Sequence, residues 1–347
     1  MQSFHCRDGD SIVRNDQLPA MKTLCRCLGL IVLLSLTSVA AFGAPRQKVI
    51  FDCDLAGDID DAFALGLLLS SPELEVLGVV MDHGDTTGRA RVACRLLYEL
   101  GLEKIPVIVG RPTPGIVGEQ PTIASPSHQF AWAKDFDRIK PSERDAADFI
   151  IETLRKYPQE VVLITVGPVC NIQDVLKKDP DALKLAKRVV SMFGSFYMGY
   201  DTGPVPAAEW NVRADVAAAK AFVASGAKPV YAGLDVTTFV NLNAEQRARL
   251  RDRKSPLTDA LSELYTLWRK EDYARPDPTM FDGVAVGMVL WPELVTTRKA
   301  HVKVIDGGWT VIDESQPPNC EIGMTIQKDE FIRRLMDRLL KQDLRRP

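Results

Sequence analysis

From position 48 onward, short apolar runs rich in β-branched residues alternate with longer stretches whose apolar residues recur every three or four positions. The short runs predict strands at 48–53, 74–81, 106–109, 161–166, 188–192, 229–233 and 301–304. The longer stretches predict helices at 59–70, 86–100, 143–157, 172–177, 215–224, 244–252, 258–270, 282–290 and 328–341. Strands that are apolar on both faces, separated by helices, imply a mostly parallel central sheet flanked by helices on both sides. The expected class is therefore α/β, a single Rossmann-like domain over residues 45–347, since no linker or internal repeat divides the chain. In such sheets ligands sit beyond the carboxyl ends of the strands. Two Gly- and Pro-rich stretches, 110–140 and 194–208, follow strands and read as long loops placed to wall a site.

The most unusual polar positions lie where the first strand should hand over to the first helix. Asp52, Asp54, Asp58, Asp60 and Asp61 fall within ten residues, between Val49-Ile50-Phe51 and the apolar segment 62–69. So many like charges at one turn repel unless a cation neutralises them, and a hard divalent ion prefers oxygen ligands of this kind. An EF-hand loop starting at Asp52 needs an acidic twelfth residue, and Phe63 stands there instead. A haloacid-dehalogenase-type phosphatase loop also uses Asp-x-Asp after a first strand, but it leaves the adjacent pair Asp60-Asp61 unexplained.

Composition narrows the remaining classes. In 347 residues with 46% apolar content there is ample core, and a net charge of −3 gives no sign of nucleic-acid binding. Met21, followed by Lys22, Arg26 and an apolar stretch at 28–41 ending in Val39-Ala40-Ala41, has the order of a secretory signal. Residues 1–20 then read as an over-extended gene start, 21–44 as a leader, and the mature chain as exported, periplasmic or secreted, with no stable membrane span. Beyond the leader remain Cys53, Cys94, Cys170 and Cys320, widely spaced and without a zinc pattern; they read as small buried residues.

Asp52-Cys53-Asp54-Leu55-Ala56-Gly57-Asp58-Ile59-Asp60-Asp61-Ala62 resembles the D-x-D-x-G-x-D-D-A signature of the inosine-uridine nucleoside hydrolase family, with a short insertion found in one bacterial branch. Further stretches follow in the family's order. Thr165-Val166-Gly167-Pro168-Val169-Cys170-Asn171 is similar to its G-P-L-T-N strand end, and Ala208-Glu209-Trp210-Asn211 with Asp215 to A-E-F-N…D. Gly233-Leu234-Asp235-Val236-Thr237 matches another stretch, and Phe281-Asp282-Gly283-Val284-Ala285 before Trp291-Pro292-Glu293 resembles H-D-P-L-A…D-P-E.

The resemblance implies hydrolysis of the N-glycosidic bond of ribonucleosides to base and ribose. It implies Ca²⁺ held by Asp54, Asp61, Asp282 and the carbonyl of Val166, with Asp54 as general base toward water. Asp60, Asp282, Glu209 and Asn211 would grip the sugar. Several residues carry a plainer reading beside this one. Asp52 is opposite Cys53 and suits hydrogen bonding to a helix start; Asp58 and Asn171 suit helix capping. Trp210 fits core packing as well as a site wall, and Asp85 fits either a ribose contact or an N-cap. The chain also departs from the family pattern. Phe281 replaces the His often proposed to protonate the departing base, and reads instead as stacking on the base or narrowing its pocket. Gly203 replaces an Asn, and Asp82-His83 a Gly-Asn. His83, His128, His301, Tyr197, Tyr200 and Asp201 are the other candidates for that acid. Two alternatives stay open: hydrolysis of another N-ribosyl or sugar compound, and an exported sugar- or nucleoside-binding protein with impaired turnover. Homo-oligomerisation is compatible with either.

Overall fold

The computed structural model describes residues 45–119, 127–271 and 276–346. The expected gene-start extension and leader, and positions 120–126 of the first long loop, lie outside them. Ten strands run in chain order: β1 (Gln47–Cys53), β2 (Leu74–Met81), β3 (Val107–Val109), β4 (Val161–Thr165), β5 (Arg188–Met192), β6 (Val230–Ala232), β7 (Val295–Ala300), β8 (Val302–Ile305), β9 (Trp309–Ile312) and β10 (Cys320–Ile326). The helices are α1 (Asp60–Leu69), α2 (Thr86–Glu99), α3 (Ala146–Lys156), α4 (Cys170–Lys178), α5 (Trp210–Ala214), α6 (Val216–Ala224), α7 (Leu234–Thr237), α8 (Ala244–Arg253), α9 (Pro256–Trp268), α10 (Phe281–Leu290) and α11 (Lys328–Lys341).

Eight strands form one sheet in the order β3-β2-β1-β4-β5-β6-β10-β7, parallel except for β7, which runs antiparallel to β10. The order reverses at β1, whose neighbours are β2 and β4, so a crevice opens beyond its carboxyl end. Side chains along β1 alternate between two cores. Val49, Phe51 and Cys53 join the layer of α1, α2, α10 and α11, while Ile50 joins the layer of α3, α4 and α6. The parallel, doubly covered sheet expected from the apolar runs is thus present.

Three features differ from expectation. The strand expected near 301–304 is β8, and it pairs with β9 in a separate hairpin instead of entering the sheet. The sheet's last two places belong to β10 and β7, which the apolar pattern did not reveal. β7 exposes Thr296, Thr297 and Lys299, as an edge strand does, so it lacks the two-sided apolar run of an interior strand. The first long loop is partly ordered by a 3-10 turn, His128–Ala133.

Helices α1 and α10 are buried over nearly their whole length and pack on each other. A helix apolar all round belongs inside a protein, and both sequences are of that kind. Against α10 lies α11, where a Cβ at Gly287 would come within 2.2 Å of the Phe331 ring. Gly287→Ala is therefore expected to lower the unfolding free energy by about 1–3 kcal/mol, the usual cost of overpacking. Chemical denaturation measures this, and Phe331→Leu in the same chain should recover part of the loss; an unchanged midpoint for Gly287→Ala contradicts the packing.

Candidate active site

The first turns of α1 and α10 meet just beyond the end of β1. Neither helix has a side-chain N-cap of its own; the Asp282 amide donates to Oδ2 of Asp60 at 3.1 Å, so one helix caps the other. That contact brings Asp60, Asp61 and Asp282 together, with one carboxylate oxygen of each within 4.8 Å of the others. All three are buried. Loss of water, then neighbouring carboxylates, pushes each well above the usual aspartate range. The helix N-termini favour negative charge there but do not cancel it.

Oδ1 of Asp61 is buried without a hydrogen-bond partner. A carboxylate oxygen without a partner on one member of a buried group of three carboxylates fits a hard divalent cation, which takes such donors in irregular arrangements.

Asp54 sits on the loop after β1, 7% exposed. Its charge raises the carboxyls of Asp60, Asp61, Asp282, Asp82 and Glu209, which makes it the hub of the pocket. It is not part of the close group of three, where Asp60 stands instead; its Oδ2 lies 3.6 Å from Nη2 of Arg89. The loop after β4 passes against it, and a Cβ at Gly167 would lie 3.3 Å from the Asp54 side chain. The Val166 carbonyl accepts from Nδ2 of Asn211 at 2.8 Å, and that amide also donates to Met192 O at 3.1 Å.

The plainer readings sort out by partner. Asp52 accepts from Asn171 at 2.7 Å and Thr165 at 3.2 Å, binding β1 to α4 and β4. Asn171 is not a cap: it lies inside α4, and its amide also donates to Met81 O at 3.0 Å. The cap of α4 comes from Asp82, which accepts from the amides of Cys170 at 3.0 Å and Asn171 at 3.2 Å. Asp58 does not cap α1 either, because the helix begins one residue late; its Oδ1 accepts from Ile59 N at 2.7 Å. Asp85 is exposed and caps α2, accepting from Gly88 N at 2.8 Å. Glu209 is buried and caps α5, its two oxygens accepting from the amides of Asn211, Gly194 and Val212 at 2.8, 3.0 and 3.3 Å.

Aromatic rings stand around these carboxylates. Trp210 is 44% exposed and so does not belong to the core; it meets His83 edge to face at 6.3 Å. Its amide donates to the Tyr200 hydroxyl at 2.8 Å, and the Tyr200 ring meets Phe281 edge-on at 5.9 Å. His83 sits at φ 55°, with Nε2 3.0 Å from Gly115 O and Nδ1 buried without a partner. Burial holds its pKa below the ordinary value, so Nε2–H donates and Nδ1 is a free acceptor.

Both long loops touch this region. Gln129 donates to Gly57 O at 3.1 Å, and Val117 N to Ala214 O at 2.7 Å. Asp235 accepts from the amides of Phe196, Tyr197 and Met198 and so anchors the second loop. His128 is exposed and lies 3.2 Å from Glu271, Tyr197 accepts from Arg298 at 2.7 Å, and His301 Nδ1 is 2.7 Å from Pro317 O. Sequence reasoning missed Asp82, Asp235 and Arg89 as builders of the site. Cys53, Cys94, Cys170 and Cys320 are buried and free.

A family model described as inosine-uridine preferring nucleoside hydrolase matches residues 49–333. The chain is 31% identical over 319 residues to the pyrimidine-specific ribonucleoside hydrolase RihA of Citrobacter koseri, covering 84% of this chain and 97% of the relative. Its fold is similar to that of the plant nucleoside hydrolase PpNRh1, with a TM-score of 0.75, 24% identity, and coverage of 86% of this chain and 100% of the other. A purine-preferring ribonucleoside hydrolase from Gardnerella vaginalis gives 0.73 at 24% identity, covering 85% and 98%. The chain belongs to the inosine-uridine preferring nucleoside hydrolase family. It is a metal-dependent hydrolase of the N-glycosidic bond of nucleosides.

Burial lifts Asp82 from 3.8 to about 7. Its folded value is thus above its unfolded one, so its contribution to stability is full below about pH 4 and is lost as the pH climbs through 7. Metal-free protein should therefore lose stability between pH 4.5 and 7.5, and Asp82→Asn should flatten that slope in chemical denaturation. An unchanged slope in the variant removes Asp82 as its source.

Proposed function

We propose that this protein hydrolyses ribonucleosides to free base and ribose with calcium as its metal, Asp61, Asp282, Asp54 and the Val166 carbonyl holding the ion and Asp60 at its side. The observation that carries this reading is the buried group Asp60, Asp61 and Asp282 with the partnerless Oδ1 of Asp61. An all-oxygen donor set of irregular arrangement suits calcium better than ions that demand strict geometry. When bound, calcium supplies positive charge that orders a water and lowers its pKa.

The chain's own residues account for the rest. Asp54 takes the proton from the attacking water at its carboxylate. Asp60 and Asp282, with Glu209 and Asn211, are assigned to the ribose, and by orienting the ring they hold its anomeric carbon toward that water; Asp85, exposed and capping α2, is not among them. Hydrogen bonds to buried hydroxyls reject sugars that lack them, so deoxyribonucleosides should be poor substrates. Trp210, Tyr200 and Phe281 are assigned to the base, whose flat face suits an aromatic rim. The similarity to a pyrimidine-specific relative favours uridine and cytidine among the bases.

Ribose release from uridine, cytidine, inosine, adenosine and guanosine tests this. Asp54→Ala is expected to lose at least about 10²-fold in kcat. Chelation should abolish turnover and calcium should restore it, whereas turnover that survives both changes counts against the mechanism. Trp210→Ala is expected to raise KM about tenfold with a smaller effect on kcat. We also propose that residues 21–44 are an export leader. N-terminal sequencing of the exported protein should then find a start within 42–45, and a chain retained intact in the cytoplasm refutes the leader.

A further inference from the structure

Among the described residues Arg89 is the one buried lysine or arginine, 8% exposed, and it stands among the buried carboxylates at the end of β1. It rises from the first turns of α2, and each arm of its guanidinium is used. Nε donates to His83 O at 2.8 Å, and Nη1 donates to Leu55 O at 2.8 Å and to the Asp54 carbonyl. Nη2 lies 3.6 Å from Oδ2 of Asp54. Two glycines leave the slot it fills. A Cβ at Gly57 would lie 3.4 Å from Nη1 and 3.3 Å from Oδ2 of Asp54, and one at Gly84 would lie 3.2 Å from Nη2.

A buried cation is costly unless paired, and a surface loop needs no arginine to make a turn. Here one planar fork ties the Asp54-Leu55 turn to the β2–α2 turn at His83, and it does so from behind the Asp54 carboxylate. A lysine carries the same charge but presents a single point of donors, which cannot span these acceptors.

We propose that Arg89 is the resident counter-ion of the acidic pocket and the positioning residue for Asp54: it offsets the carboxylates when no divalent ion is bound and fixes the carboxylate that faces water. The positioning half rests on the catalytic reading above; the counter-ion half does not. With its guanidinium gone, the metal-free protein carries the crowded carboxylates with no buried cation, while a bound divalent ion still compensates them. With its fork gone, Asp54 keeps its chemistry but loses its aim.

Arg89→Met and Arg89→Lys, compared with the wild type in thermal unfolding with chelator and with calcium, and in kcat and KM, decide this. For Arg89→Met the expected result is a Tm loss clearly larger with chelator than with calcium. Its kcat should fall about 100-fold with KM changed less than about threefold, the size of effect a small misplacement produces. Arg89→Lys should recover the chelator-specific Tm loss but not kcat. Equal Tm losses with and without calcium overturn the counter-ion role. Wild-type kcat in Arg89→Lys overturns the positioning role, and this holds even if the Met variant fails to fold. If the wild-type protein itself releases no ribose, the proposed function fails, while the two Tm comparisons still judge Arg89 as counter-ion.

Discussion

Carboxylates crowded out of water repel one another, and the rest of this structure is arranged around making that crowd tolerable. Asp54, Asp60 and Asp61 come from one chain segment and Asp282 from another, 222 residues after Asp60, yet all four share one buried pocket beyond the end of β1. Burial and repulsion from neighbouring carboxylates push the carboxyls of Asp60, Asp61 and Asp282 well above the usual aspartate range. Within the chain, helix N-termini, a few amides and Arg89 supply the opposing charge. None of these matches several full negative charges, so the pocket is poised for a cation. That mismatch is the physical content of a metal site, and it follows from the fold before any ligand is considered.

The fold creates the mismatch through the position of β1. Because β1 is where the strand order reverses, α1 and α4 leave its two sides and the chain ends of β1, β2 and β4 converge. Val166 N donates to Asp52 O at 2.8 Å and Asp82 N to Cys53 O at 2.7 Å, so the three strand ends are stapled at the same level. The apolar helices α1 and α10 then bury their first turns because no polar face is available to turn outward. Hydrophobic burial, which is non-directional and large, drags the aspartates of those first turns inside with it. The site is in this sense held under strain by the core.

Much of this was legible in the sequence, and the exceptions share a cause. The apolar runs of β1, β2, β4 and β5 and the helices behind them are interior elements with strong periodicity, and they fall where the pattern puts them. The acidic turn and Asp282 stood out because so many carboxylates are rarely placed beside apolar runs. What was not legible depends on partners far along the chain. Asp82 reads as an ordinary strand end until Cys170 and Asn171, 88 and 89 residues later, donate to it. Arg89 sits in Gly88-Arg89-Ala90-Arg91, where nothing local distinguishes the two arginines, and only the fold buries Arg89 while leaving Arg91 half-buried. Asp58 and Asn171 looked like caps because local rules favour them there, but α1 starts one residue later, with Ile59 at its cap position, and α4 starts earlier, with Val169 at its cap position, two residues before Asn171. β7 escaped notice because an edge strand carries few buried residues, and β10, although it lies between β6 and β7, buries only Cys320, Ile322 and Gly323.

The buried carboxylates themselves divide by what satisfies them. Glu209, Asp82 and Asp235 each accept from three backbone amides, which hold loops and helix ends. Asp52 is satisfied by Asn171 and Thr165. Asp61 has an oxygen with nothing, and Asp54 has only the edge of a guanidinium at 3.6 Å. A carboxylate left without donors in a buried place costs free energy on the order of 1–3 kcal/mol or more, and folded proteins keep such groups where a ligand will repay them. On the aromatic side, Trp210 is exposed and His83 Nδ1 is buried with no donor. Arg89 donates to both the His83 and the Asp54 carbonyls, so the rings at His83 and Trp210 neighbour the carboxylates, and a molecule with hydroxyls at one end and a flat ring at the other complements both kinds of group.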